Sequence, residues 1–281
     1  MVSGENGKLY ICATPIGNLE DITLRALRIL KEADYIAAED TRHTRKLLSY
    51  YDIHTKLTSY HEHNEAAKAG ALVALIESGA TVALVSDAGM PGISDPGHKL
   101  IKRCIDRGIA VEAVPGASSL ITALVISGLP TDSFVFQGFM PRKKGERTAL
   151  LAELAGQKRT VVLFESPRRL KATLREIAEF DADREVVTAR ELTKKFEQVL
   201  RGTAGEMLER LDATEIRGEV VLLIAPSKEK RPRILEADGL RSAVVGLMNE
   251  GMPKKQAIFE VAKGLGVGKR IVYESVKDIH T

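Results

Sequence analysis

The sequence predicts an α/β protein of two lobes followed by a small C-terminal helical domain. Three observations carry this. Short apolar runs alternate with stretches of helical periodicity, the pattern of a mostly parallel sheet flanked by helices. The alternation is broken near the middle by Pro-Gly and Leu-Pro around a short apolar helix, between Pro115 and Phe134. Near the end, a charged segment with a proline, 227–233, precedes residues with no strand signal. The expected division is therefore 1–116, 117–226 and 234–281.

In the first lobe, strands are expected at Leu9–Ala13, Tyr35–Ala38, Thr81–Val85 and Ala110–Val114. Thr23 to Ala33 spaces Leu24, Leu27, Ile29 and Leu30 as a helix does, and Ala66 to Glu77 does the same with Ala69, Leu72, Val73 and Ile76. In the second lobe, strands are expected at Phe134–Gln137, Thr160–Phe164, Glu185–Ala189 and Val220–Ile224, with helices around Arg147–Leu154, Arg168–Glu179 and Gly205–Leu211. The last segment reads as three short helices of helix-turn-helix type, broken at GMP and GLGVGK.

Composition excludes several classes. Among 281 residues, 44% are hydrophobic and 28% charged, an ordinary globular balance. Cys12 and Cys104 sit in apolar stretches without a CxxC neighbour, so buried reduced thiols are expected rather than a disulfide framework. The N-terminus lacks the apolar core of a signal peptide, and no apolar run approaches a membrane span. A cytoplasmic protein without membrane contact is expected. His61 and His63 are too isolated from other ligand types to predict a metal site.

Chemistry is expected in the loops. Thr14 to Asp21 follows the first strand, where nucleotide-binding folds place a ligand loop, although it matches neither GxGxxG nor a Walker A sequence. Asp21 as a helix cap is the plain structural account of it. Ser86 to Gly97 holds three glycines and two prolines after the most apolar strand of its lobe. Asp95-Pro96 reads as a cap and first helical residue, but no such account covers Asp87 to Gly92, where ligand contact is expected. In Pro115 to Ser119, Ser118 or Ser119 suits either a helix cap or a ligand.

These segments together resemble the tetrapyrrole-methylase superfamily of S-adenosylmethionine-dependent enzymes. The resemblance rests on ATPIGNLEDITLRAL (13–27), AEDTRHTRKLL (38–48), SDAGMPGISDPG (86–97), VPGASS (114–119), FMPRKKGER (139–147) and FESPRRL (164–170), and runs over about residues 8–226. Within that superfamily the strings are most similar to members that methylate the ribose 2′-hydroxyl of a cytidine in small-subunit ribosomal RNA. The resemblance implies a cofactor cleft between the lobes, bordered by Pro15, Gly17, Asp87, Ala88, Gly89, Met90, Pro91, Gly92 and Ser118. It also implies a homodimer and ribosomal RNA as the partner. The alternatives are a methyltransferase with a small tetrapyrrole-like acceptor and a non-catalytic ribosome-binding factor.

Charged residues complete the expectation. A ribose hydroxyl must lose its proton, so a carboxylate is sought among Glu39, Asp40, Asp87 and Glu165, with Glu39, Asp40 and Glu165 favoured as catalytic residues. Asp40 or Thr41 capping the following helix is the structural account. Residues 139–175 carry ten lysines and arginines against three glutamates, which suggests a phosphate-binding surface. Arg42, Arg45, Arg142, Lys143, Lys144, Arg168 and Arg169 are the expected RNA contacts. Ser166-Pro167 reads as the start of a helix, which would set Arg168 and Arg169 against its dipole. The basic tail suits RNA binding or packing equally.

Overall fold

A computed structural model describes residues 7–212, 216–227, 237–264 and 269–278. These fall into two compact units, Met1–Ser227 and Lys228–Thr281.

The first sheet of the larger unit holds β1 (Lys8–Cys12), β2 (Tyr35–Ala38), β3 (Lys56–Ser59), β4 (Val82–Val85) and β5 (Ala110–Val114) in the order β3-β2-β4-β1-β5, with every pair parallel. Its helices are α1 (Leu24–Glu32), α2 (Thr41–Tyr50), α3 (Glu65–Glu77) and α4 (His98–Asp106). They cover both faces, giving two apolar layers. One joins Leu9, Leu72, Ile76, Leu84 and Leu100, and the other Ile29, Leu30, Ile36, Leu48 and Val85. Every residue of β4 is buried, as a central parallel strand covered on both faces requires.

Between the sheets runs α5 (Ser119–Ser127). The second sheet holds β6 (Phe134–Phe139), β7 (Thr160–Glu165), β8 (Glu185–Arg190), β9 (Gln198–Thr203) and β10 (Val220–Ile224) in the order β6-β7-β10-β8-β9. Only the β6–β7 pair is parallel. Helices α6 (Lys144–Ala155), α7 (Leu170–Phe180) and α8 (Ala204–Asp212) lie on one face, sharing a core with Val161, Leu163, Val220 and Leu222. On the other face Ala123 and Leu124 of α5 pack with Val162, Val187, Val221 and Leu223. Ile16, from the loop after β1, joins that same cluster, so the first lobe plugs into the second.

The smaller unit is three helices, α9 (Ala237–Asn249), α10 (Lys254–Gly264) and α11 (Lys269–Ser275). They close around Leu240, Val244, Ala257, Val261, Val272 and Val276. Among the described residues no helix is long and apolar enough to cross a membrane. Cys12 and Cys104 are buried free thiols, and burial pushes Cys12 up to about 12.

Four local expectations are corrected. Asp21 ends a 3₁₀ turn, and the cap of α1 is Thr23, whose hydroxyl accepts from the Ala26 amide. Asp95 does not cap α4; Gly97 stands there, with φ +155°. Ser166-Pro167 does not open α7, which starts at Leu170 after a turn. Arg168 and Arg169 therefore stand just before the first helical residue, Arg169 as the N-cap, and both remain at the positive end of the dipole. Finally, β3 and β9 were not expected. Both are edge strands, KLTS and QVLRGT, whose mixed polarity hides the strand signal.

Candidate active site

The parallel sheet delivers five loops to one edge, at the carboxyl ends of its strands, where open α/β sheets bind ligands. Two of these loops are stitched together. Thr14 and Gly89 exchange backbone hydrogen bonds of 2.9 and 3.0 Å, and the Thr14 hydroxyl donates to the Ser86 carbonyl. Gly89 and Gly92 have φ of +77° and +85°, so the loop after β4 needs glycine at both turns. Ser94, at φ +60°, adopts the same region without being glycine, a local strain of the kind concentrated at functional sites.

Two cavities flank this stitch. The first, about 380 Å³, lies between the sheets, lined among others by Gly89, Met90, Asp95, Ser118, Phe139 and Phe164. The second, about 560 Å³, is lined by Thr14, Pro15, Gly17, His43, Lys46, Asp87 and Lys194, among others. Ala88 and Glu219 border both. The Ser118 hydroxyl accepts from the Ile121 amide, capping α5, and the residue also lines the first cavity.

The carboxylates separate by environment. Asp40 caps α2, accepting from the Arg42 amide at 2.8 Å, and pairs with the Arg42 side chain at 2.8 Å. Those hydrogen bonds hold its carboxyl far below the usual carboxylate range, so it is a poor proton acceptor. Glu165 borders the first cavity, but its oxygens accept from the Ser166 amide (2.6 Å), the Thr173 hydroxyl (2.6 Å) and Arg169 (2.7 Å). Arg169 also donates to the carbonyls of Met140 and Pro141. The Glu165–Arg169 pair thus ties β6, β7 and α7 together rather than facing a ligand freely.

Glu39, Asp87 and Asp95 form a different group. Asp87 accepts from the Asp40 amide at 3.0 Å and so joins the β2 and β4 loops. Burial, then the Asp87 charge, raises Glu39. Burial, then the Glu39 charge, raises Asp95 to about 6, against a hydrogen bond from Ser86 that lowers it. Sequence reasoning read Asp95 as a cap. Its tell is the strained Ser94 before it, which a sequence does not display.

The expected cofactor residues also divide. Ala88, Gly89 and Met90 line the first cavity with Ser118, whereas Pro15, Gly17 and Asp87 line the second. Gly17 is required by packing: a Cβ there would lie 2.5 Å from Lys194 Cγ and 2.7 Å from the Leu192 carbonyl oxygen. The segment it meets was not anticipated. Glu191 and Thr193 have φ of +51° and +63°, and Lys194 bridges Glu191 (2.9 Å) and Glu219 (3.1 Å).

The chain matches the model of the tetrapyrrole (corrin/porphyrin) methylases over residues 8–208. The chain belongs to the tetrapyrrole methylase family. Its relatives within the family include ribosomal RNA small subunit methyltransferase I of Halalkalibacterium halodurans, 48% identical over 96% of this chain and 94% of that one. The same-named protein of Bacillus subtilis is 42% identical over 96% and 94%. Solved structures agree in fold. A cobalt precorrin-4 methyltransferase aligns at TM-score 0.59 and 20% identity, over 80% of this chain and 97% of that one. A Thermus thermophilus uroporphyrin-III C-methyltransferase complexed with S-adenyl homocysteine aligns at 0.57 and 20%, over 78% and 97%.

This methylase uses S-adenosylmethionine, and the first cavity fits that group. It is of ligand size, and Phe139 and Phe164 offer apolar walls for a ring. Among the described residues no cluster of His, Cys, Asp or Glu could hold a metal.

The basic residues split as well. Arg147 is committed to Glu176, at 2.5 Å, and Arg169 to Glu165. Arg42 is paired with Asp40 yet exposed, and Arg45, Arg142, Lys143, Lys144 and Arg168 are exposed, with Lys143 reaching Glu146 at 3.0 Å.

Proposed function

We propose that this protein methylates the ribose 2′-hydroxyl of a cytidine in small-subunit ribosomal RNA. The single observation that carries the reading is the pairing of two adjoining cavities across the Thr14–Gly89 stitch, one with apolar aromatic walls and one polar, where Lys46 and Lys194 stand with Asp87 and Glu219. S-adenosylmethionine supplies a methyl group activated by its positive sulfur. Gly89, Met90 and Ser118 hold the cofactor and exclude water from the first cavity. His43 and Lys46 line the second, where a ribose-phosphate finds a hydrogen-bonding ring and a lysine. Positioning supplies most of the catalysis. Asp95 in the first cavity is coupled by charge to Glu39 and Asp87, and Asp87 lines the second, so this carboxylate group accepts the hydroxyl proton and passes it to solvent. Arg45, Arg142, Lys143, Lys144 and Arg168 meet phosphates outside the cleft. The protein works in the cytoplasm as a homodimer, which sedimentation equilibrium checks.

The decisive assay mixes the purified protein and labelled S-adenosylmethionine with small ribosomal subunits from a strain lacking the gene. The expected label is in 2′-O-methylcytidine after nucleoside digestion. Cofactor binding without label in RNA overturns the RNA reading and points to a small acceptor.

A further inference from the structure

The C-terminal helical unit carries a surface of its own. α10 and α11 border a groove of about 930 Å³ lined, among others, by Lys254, Lys255, Phe259, Lys269, Arg270 and Tyr273. Four of these are cations and none is an acid. The helices are built for this division. Ala257, Val261, Val272 and Val276 point into the core. Lys255 and Phe259, one turn apart on α10, face outward with Lys269 and Tyr273, one turn apart on α11. Phe259 is 40% and Tyr273 53% exposed. Lys269 Nζ sits 4.2 Å from the centroid of the Phe259 ring, so charge and ring form one platform. The neighbouring acid Glu274 turns to Lys277, at 3.4 Å.

Exposed aromatics among cations have a specific chemical fit. Each cation takes a phosphate, and each ring takes the face of an unpaired base. A purely packing surface would not need four charges of one sign, and a purely electrostatic one would not expose two rings. We propose that this groove binds a single-stranded segment of RNA, with Phe259 and Tyr273 stacking bases and Lys255, Lys269 and Arg270 holding the backbone. The choice of RNA over DNA rests on the reading that the chain acts on ribosomal RNA.

The test uses the full-length protein and a fluorescently labelled single-stranded oligouridine of about 10 nucleotides, within the usual site size of such surfaces. Anisotropy is followed over a range of salt. Phe259→Ala and Tyr273→Ala are each expected to weaken binding about tenfold with the salt slope kept, and Phe259→Tyr to restore it. Lys269→Ala combined with Arg270→Ala is expected to flatten the slope by about 1.4. All these side chains are exposed, and circular dichroism confirms that each variant is folded. Unchanged affinity in the folded aromatic variants overturns the proposal, as does equal binding of polyglutamate, which would mark an acidic protein partner. The methyl-transfer assay is run on the same variants. Label in RNA with unchanged oligouridine affinity overturns the groove alone. Groove-dependent binding by a protein that labels no RNA overturns the active-site reading alone.

Discussion

Asp95 is raised because burial and the charges of Glu39 and Asp87 oppose its ionisation. The folded protein therefore binds this proton more tightly than the unfolded chain does. The stability it contributes is full below about pH 4, the ordinary carboxylate value, and is lost as pH rises through about 6. At pH 7 the ionised group is a net cost. Asp95→Asn is expected to stabilise the protein at pH 7 by about 1–2 kcal/mol after allowance for solvent screening, with no gain at pH 4. Thermal melts at the two pH values check this. The same substitution is expected to lower turnover at least ~100-fold and leave cofactor affinity by calorimetry unchanged. In the parent, turnover should rise with pH around 6, and Asp95→Asn should remove that limb. Full activity in the variant would relieve Asp95 of the proton.

At the scale of elements, the loop after β1 is both a cavity wall and a fastener. Ile16 enters the second lobe's core, while Gly17 touches the strained 191–194 segment. Gly17→Ala puts a Cβ against the Leu192 backbone at 2.7 Å, which a flexible side chain cannot relieve. It is expected to cost about 1–3 kcal/mol, the usual cost of overpacking, seen as a lower urea midpoint. Because the loop lines the second cavity, KM for ribosomal subunits should rise more than KM for the cofactor.

For the whole molecule, the basic surface makes a prediction that no single residue does. RNA affinity built on phosphate contacts falls steeply with salt, whereas a small ligand held by glycine loops and apolar walls does not. Raising salt from about 50 to 200 mM should weaken binding of small subunits by more than ~10-fold, with cofactor affinity nearly constant. Parallel titrations check this. Equal salt sensitivity of the two ligands would mean that the surface charges do not meet RNA.

The sequence by itself determined the α/β class, the eight apolar strands, the helical tail and the glycine-rich loops at the strand ends. Those features are written in local periodicity and in glycine and proline, which act on their own neighbours. The edge strands β3 and β9 were illegible because KLTS and QVLRGT mix polar and apolar residues, whereas the edge strands β5 and β6 kept apolar runs. Asp95 and Glu165 show the deeper limit. One was read as a cap and stands at the cavity; the other was read as a base and is tied to Ser166, Thr173 and Arg169. Which carboxylate is free depends on partners brought from other elements, and on the water each has lost. Tertiary structure decided that, because a carboxylate's chemistry comes from its surroundings in space and not from its neighbours in the chain.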